Sequence, residues 1–442
     1  MDANVAHLSG VLPHRRRMLA ATSDHPEFNF LRVIGFGAAF VLLVVPLHPF
    51  PSLSTVSTLG TWEVGDQLNQ IIYTTLAGLL LLIAGRVNGA PLLSQVTLGL
   101  VAVLAWMFVS VLYSQNPDLS FRRFGFTFIV MVIAATWLLL PLGLRNLAGT
   151  LALIIGAILV ACYAGVVLLP ELSIHQVQDL LEPQLYGNWR GIYGHKNEAG
   201  ATMAFFVLFG LFIARAFNLV AGSLIALASL IFLVLCAAKT SMILLPATIL
   251  MSLCCSRIQN LAGRAMICLL PLFMLWALIA AACYRADVAG VLNLPFSDTS
   301  FTGRTDIWKF AIEHTLERPL IGHGFMAFWR TRDLPMTDAV VSWTTLAAHS
   351  HNGYLEIALT TGLPGAALCV LFIVILPIVN YHKCLQFETN RTLSLLLLQI
   401  WLFGIYVNCF ESALFDRANR IWFFLSTAVF GLHFLARYRV LP

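Results

Sequence analysis

Twelve long apolar runs, separated by polar stretches, decide most of what this chain can fold into. They lie near 31–50, 68–85, 92–113, 124–142, 147–169, 199–217, 219–237, 240–256, 265–283, 353–380, 393–411 and 419–436. Apolar side chains make up 59% of the 442 residues and charged ones only 11%, too few to cover a soluble domain of this length. The expected fold is all-α: a polytopic membrane protein of about twelve transmembrane helices with one large outer loop that holds short helices. Residues 1–30 read as a polar cytoplasmic tail. It contains Arg15, Arg16 and Arg17, has no apolar core of its own and shows no cleavage site for a signal peptide. Spans one to nine occupy 31–283, with an outer loop at 170–198. The large outer loop is 284–350, and the last three spans fill 351–438.

An even number of spans puts both ends on one side. With the tail inside, the inner connections carry Arg86, Arg145, Arg215, Arg257 with Arg264, Lys383 with Arg391, and Arg437 with Arg439, as the positive-inside rule expects. The first outer loop, Pro51 to Asp66, has two acids and no cation. The net charge of +5 suits such a layout. Most of the nine cysteines sit inside apolar runs and read as small hydrophobes, without the spacing of a disulfide framework or a zinc site.

Several cations fall on the outer side: Arg122 and Arg123, Arg190 and Lys196, Lys239, Arg304, Arg417 and Arg420. Membrane insertion disfavours cations there, so their cost is easier to understand if they bind an anion. The alternative is that they are ordinary snorkelling or salt-bridged side chains, which fits about half of them. Arg190, Lys196 and Arg304 stand apart because of their neighbours. The stretch Asn188-Trp189-Arg190-Gly191-Ile192-Tyr193-Gly194-His195-Lys196-Asn197 brings two glycines, two cations, a histidine and an asparagine to the start of a span. It reads as a backbone anion nest, or else as an interfacial turn with a capped helix. Leu172 to Leu185, before it, is amphipathic enough to lie at the interface. In the large outer loop, Gly303 to Leu316 reads as one amphipathic helix with Ile307, Phe310, Ala311 and His314 on one face, started by Thr302 or Asp298. Pro319, Gly322 and Gly324 then make a turn. Trp329, Arg330, Arg332 and Trp343 read as ordinary buried or interfacial side chains.

His349-Ser350-His351-Asn352-Gly353 closes that loop and leads into an apolar run. The run Ala366 to Val379 is about 14 residues, short of the roughly 20 needed to span, so the helix should begin near Asn352 or Gly353. It should bend where Pro364 lacks an N–H and crowds the Thr360 carbonyl. That places His351 and Asn352 at a helix start, where backbone N–H groups attract anions and disfavour imidazolium. His351 is then either a neutral general base beside an anion site or, with Asn352, part of a helix cap.

These residues resemble a known family. His351-Asn352 followed by Gly362-x-x-Gly365 is similar to the signature of the O-antigen ligase and polysaccharide polymerase superfamily. Arg304 with Trp308, the Pro319…Gly322-x-Gly324 turn and the twelve-span layout match as well, and Gly194-His195-Lys196-Asn197 resembles the exopolysaccharide polymerases of that group. The resemblance covers roughly 185–412. It implies a GT-C-like membrane glycosyltransferase in the bacterial inner membrane, with its active site facing the periplasm. Such an enzyme takes a glycan from an undecaprenyl pyrophosphate-linked oligosaccharide and gives it to a growing polysaccharide or to lipid A–core. The family is metal-independent and needs no cofactor, and neither nucleic acid nor a metal is expected as a partner. By position His351 would be the general base. Arg304 and Arg190 would bind the pyrophosphate, assisted by Lys196. His195, Asn197, His349, Asn352, Arg122 and Arg123 complete the candidate substrate-binding set. A transporter or flippase of the lipid-linked oligosaccharide is the competing reading; it would need charges deep in the spans or paired broken helices in the two halves, and neither is evident.

Overall fold

The computed structural model describes residues 26–53, 67–179, 182–285, 287–288, 302–329, 348–417 and 419–440. They are helical apart from loops and one antiparallel bridge, Ile174 to Trp189. In chain order the main helices are α1 Pro26–Val44, α2 Gln67–Ser94, α3 Leu98–Leu112, α4 Pro117–Trp137, α5 Leu144–Leu168, α6 Lys196–Ala216, α7 Leu219–Leu235, α8 Lys239–Arg257, α9 Leu261–Ala282, α10 Thr302–Glu317, α11 Gly353–Cys384, α12 Arg391–Val407 and α13 Arg420–Leu435. Every expected run carries a helix, and α10 lies where the outer-loop helix was expected. Among the described residues, eight helices are long and apolar enough to cross a membrane; α1, α3, α7 and α13 are shorter apolar helices. Asp298, Arg330, Arg332, Trp343 and residues 1–25 lie outside the described residues.

Helix starts follow the sequence closely. Asn116, Asn218, Asn260, Asn352 and Asn419 each cap a helix by accepting an otherwise orphaned backbone N–H. The core forms around α6 and the helix that ends in α12, 78% and 83% buried over their most apolar stretches, against 28–44% for the other six long spans. An aromatic stack joins α1, α4, α6 and α13: Phe40 lies between Trp137, Phe206, Phe209 and Phe424.

The stretch Leu172 to Leu185 is not a continuous amphipathic element. It holds a one-turn helix, Pro170–Ser173, and a 3-10 turn, Pro183–Leu185. Pro170 and Pro183 sit at the start of each, where a missing N–H is tolerated, and Glu182 before the second proline is extended-biased.

Helix α11 is broken at Gly362, two residues before Pro364, with φ 74° and ψ 175°. Pro364 leaves the Thr360 carbonyl without its helical partner, as expected, and the break frees its neighbours too. Outside donors replace the lost bonds. The Leu359 carbonyl accepts from His323 N–H, and Thr360 accepts from Gly324 N–H and Ser110 Oγ, each within 3.0 Å. Thr361 accepts from Trp106 Nε1 at 2.9 Å, and Leu363 N–H donates back to the Pro319 carbonyl at 2.8 Å. The turn after α10 is therefore plugged into the break. A Cβ on Gly322 would stand 2.5 Å from the Thr360 carbonyl carbon, and one on Gly362 would stand 2.4 Å from the Leu320 oxygen. Both glycines also have positive φ. Gly362→Ala is expected to lower the thermal unfolding midpoint of the detergent-solubilised protein by several degrees. That corresponds to about 1–3 kcal/mol, because strain and a backbone clash coincide. Gly156→Ala, in the open middle of α5, should leave the midpoint unchanged or slightly raised.

Candidate active site

The break holds the first turns of α11 against the end of the bundle where α6 begins, α12 ends and α10 lies. Asn352 starts α11. Its Oδ1 accepts from Tyr354 and Leu355 N–H, its carbonyl accepts from Glu356 N–H, and Gly353 N–H goes to the carbonyls of Asn408 and Glu411. All four leading amides of the helix are thus satisfied within the protein. The expectation that bare helix-start amides bind an anion here is corrected: any anion must be held by side chains.

The same holds at α6. The Lys196 amide donates to His175 Nε2 at 3.2 Å, and the Asn197 amide donates to His195 Nδ1 at 3.0 Å. Each imidazole is turned by a carboxylate: His175 Nδ1 meets Asp179 at 2.9 Å and His195 Nε2 meets Glu182 at 2.8 Å. The nest predicted from Gly, Lys and Asn is a double histidine cap. Both ring nitrogens of His195 are engaged, so its part in substrate binding would have to come from the ring face or its position. Lys196 reaches the Ala237 carbonyl with Nζ at 3.4 Å. His175, held by Asp179 and accepting from the Lys196 amide, had no signal in the sequence beyond an i, i+4 His–Asp pair.

Arg190 is fully buried beneath this cap. Its Nη1 donates to the Pro51 and Tyr193 carbonyls, and its own amide and that of Gly191 bond the Ser173 carbonyl. Burial pushes its pKa down, only partly offset by Asp179. The structure brings Arg190 to His175, not to His351, and its contacts tie three loop segments together. Arg122 is exposed on the first turns of α4 and bonds Asp118 of its own helix. Arg123 donates to the Met326 carbonyl, fixing the turn after α10.

The remaining candidates converge. Arg304, from α10, donates through Nη1 to the Phe410 carbonyl at 2.7 Å and lies 3.5 Å from Glu411 Oε1 through Nη2. Asn197, from α6, donates to the same Glu411 oxygen at 3.3 Å. His351 has a left-handed backbone, φ 51°. Its N–H donates to His349 Nδ1 and the two rings lie 4.2 Å apart, edge to face. Ser350 and Asn352, on either side, are pinned by Ser412 Oγ at 3.0 Å. His351 Nδ1 is buried and has no hydrogen-bond partner among the described residues. Burial holds the imidazole well below its ordinary pKa, and His349, Arg304 and His195 push the same way. The ring is therefore neutral at physiological pH for a reason other than the predicted helix start. A neutral imidazole beside a guanidinium and an amide can take a proton while the cation steadies nearby negative charge.

Residues 197–370, from Asn197 through Arg304, His349, His351 and the two signature glycines, match the family described as O-antigen ligase. Over this segment the chain is similar to the O-antigen ligase family. The chain is also similar to the exopolysaccharide production protein ExoQ of Rhizobium meliloti (strain 1021), 25% identical over 303 residues, 63% of this chain and 65% of the relative. An uncharacterized protein of Haemophilus influenzae is 27% identical over 149 residues, 33% of this chain and 37% of that protein. The chain thus aligns with less than two thirds of the length of either. Of the clustered side chains, Glu411 lies outside the O-antigen ligase match, as do His195 and Arg190.

The double cap carries a pH dependence. Burial, which outweighs the Asp179 hydrogen bond, pushes His175 down to about 4. An unfolded histidine titrates near 6.5. Between those values the unfolded chain takes up a proton that the folded one refuses, so stability falls as pH drops from about 6.5 to about 4 and gains nothing further from this group above that window. Unfolding midpoints measured across that window should slope less steeply in His175→Gln, whose amide cannot titrate.

Proposed function

We propose that the protein is a membrane glycosyltransferase that takes a glycan from undecaprenyl pyrophosphate at the outer face of the bacterial inner membrane. The observation that carries this reading is the meeting of a neutral His351 with Arg304 inside the O-antigen ligase segment. The acceptor hydroxyl attacks the anomeric carbon as the bond to the pyrophosphate breaks. The hydroxyl proton passes to His351, and the leaving pyrophosphate keeps the bonding electrons. Attack from the face opposite the leaving group inverts the anomeric centre. Arg304 is the pyrophosphate ligand, supplying the positive charge that a metal ion supplies in other phosphate-transfer sites, and the chemistry is read as metal-independent. Asn197, His349 and Asn352 line the same site, and Lys196 stands beside it at the start of α6. Arg190 acts beneath the site, shaping the loop that presents His195 and Lys196.

The acceptor is a growing polysaccharide or lipid A–core. The name of the Rhizobium relative speaks of exopolysaccharide production, which favours polymerisation of lipid-linked repeats.

His351→Ala and Arg304→Ala are expected to reduce glycan transfer by about 10²-fold or more, as when a base or a charge-stabilising group is removed, while the protein inserts and melts as the parent does. Full product from both variants would overturn the mechanism. Arg190→Ala should instead lower the melting midpoint by several degrees, since it empties a buried site whose hydrogen bonds join separate segments. Deletion of the protein in its host separates the two acceptors: single capped repeat units indicate a polymerase, and intact polymer left on its lipid carrier indicates a ligase.

A further inference from the structure

We propose that Glu356 is a positioning residue for His351: its buried carboxylate ties Trp329 and Ser350 to the first turns of α11 and so sets where the imidazole stands. The chain leaves the described residues at Trp329 and returns at Ala348. Trp329 Nε1 donates to the two Glu356 oxygens at 3.0 and 2.9 Å, and Ser350 N–H donates to Oε2 at 2.9 Å. One carboxylate therefore joins two residues that lie about 20 apart in the chain, Trp329 and Ser350, to the same helix.

The physical case rests on strain and burial. A non-glycine residue in the left-handed region is strained and persists only where its surroundings over-determine it. His351 is such a residue, and its neighbours are fixed on both sides: the Ser350 amide by Glu356 and its hydroxyl by Ser412, Asn352 by Ser412 and by its own capping bonds. With the Ser350 bond released, the 349–351 backbone has a lower-energy conformation to fall into, and the ring moves away from Arg304. A carboxylate hidden in a bundle is costly unless it is hydrogen-bonded. Glu356 is 3% exposed and receives only neutral donors, so packing alone would be better served by glutamine or an apolar side chain.

The inference rests on the transferase reading only for its kinetic consequence, so its test has two arms. Full-length protein in detergent is treated with diethyl pyrocarbonate, and carbethoxylation at each histidine is followed by peptide mass spectrometry, with exposed His48 as internal reference. Glycan transfer is measured on the same preparations. Glu356→Ala should make His351 react about tenfold faster than in the parent, with His48 unchanged, and should cut the maximal rate about tenfold with KM within about twofold. Glu356→Gln keeps the volume and one acceptor oxygen but turns an N–H toward a donor, so it should fall between the two on both readouts. If Glu356→Ala does not fold, Glu356→Gln alone decides. Parent-like His351 reactivity and parent-like maximal rate in a folded Glu356→Gln protein overturn the proposal. Transfer that survives His351→Ala would overturn the transferase reading instead, and the reactivity arm would still judge Glu356.

Discussion

A helix interrupted inside an apolar bundle exposes carbonyls that no water reaches, and each one left unpaired costs several kcal/mol. The break at Gly362 is possible because donors from two other parts of the chain fill it: Ser110 and Trp106 from α3, and the His323 and Gly324 amides from the turn after α10. This exchange fastens an extramembrane helix to a spanning one. α10 carries Arg304 at its start and the plugging turn at its end, so the docking that satisfies the broken backbone also places the guanidinium over the start of α11. Gly322 and Gly362 have a backbone role: they let two segments of the chain approach to a distance no side chain would permit.

Periodicity and capping made the helices readable from residues alone. Each apolar run carries a helix, asparagines cap five of them, and the amphipathic helix α10 was visible in the spacing of Ile307, Ala311 and His314. The proline at 364 announced a bend, but the left-handed residue that absorbs it is Gly362, because a glycine two residues earlier gives the chain a conformation that proline cannot. Arg304 and His351 converge. Arg190 does not, because a sequence shows that a cation is present and not whether it points outward; the carbonyls of Pro51 and Tyr193 hold its side chain under the loop. Glu356 escaped notice for a related reason. A single acid inside an apolar run does not announce its partners, and those of Glu356, Trp329 and Ser350, come from the chain before α11.

The two helix starts that looked like anion cradles teach a related lesson. A glycine-rich entry into a helix is an anion site only if its amides remain unspent. Here neutral acceptors within the protein use them: Asn352 and the 408–411 turn at α11, and two imidazoles at α6. What is left for a ligand is side-chain charge, concentrated on Arg304 and steadied by Glu411.

That arrangement links binding to proton transfer. Arg304 lies loosely against Glu411, at 3.5 Å and partly exposed, a pairing worth about 1 kcal/mol or less. A diphosphate brings more charge than one carboxylate and would compete for the guanidinium. Its charge would also offset the cationic push that helps hold His351 neutral. The imidazole's proton affinity would then rise once the donor is in place, and rise again as negative charge builds on the leaving group. In the proposed reaction the base is therefore weakest in the empty protein, where protonation would disable it, and strongest along the step in which it must accept a proton.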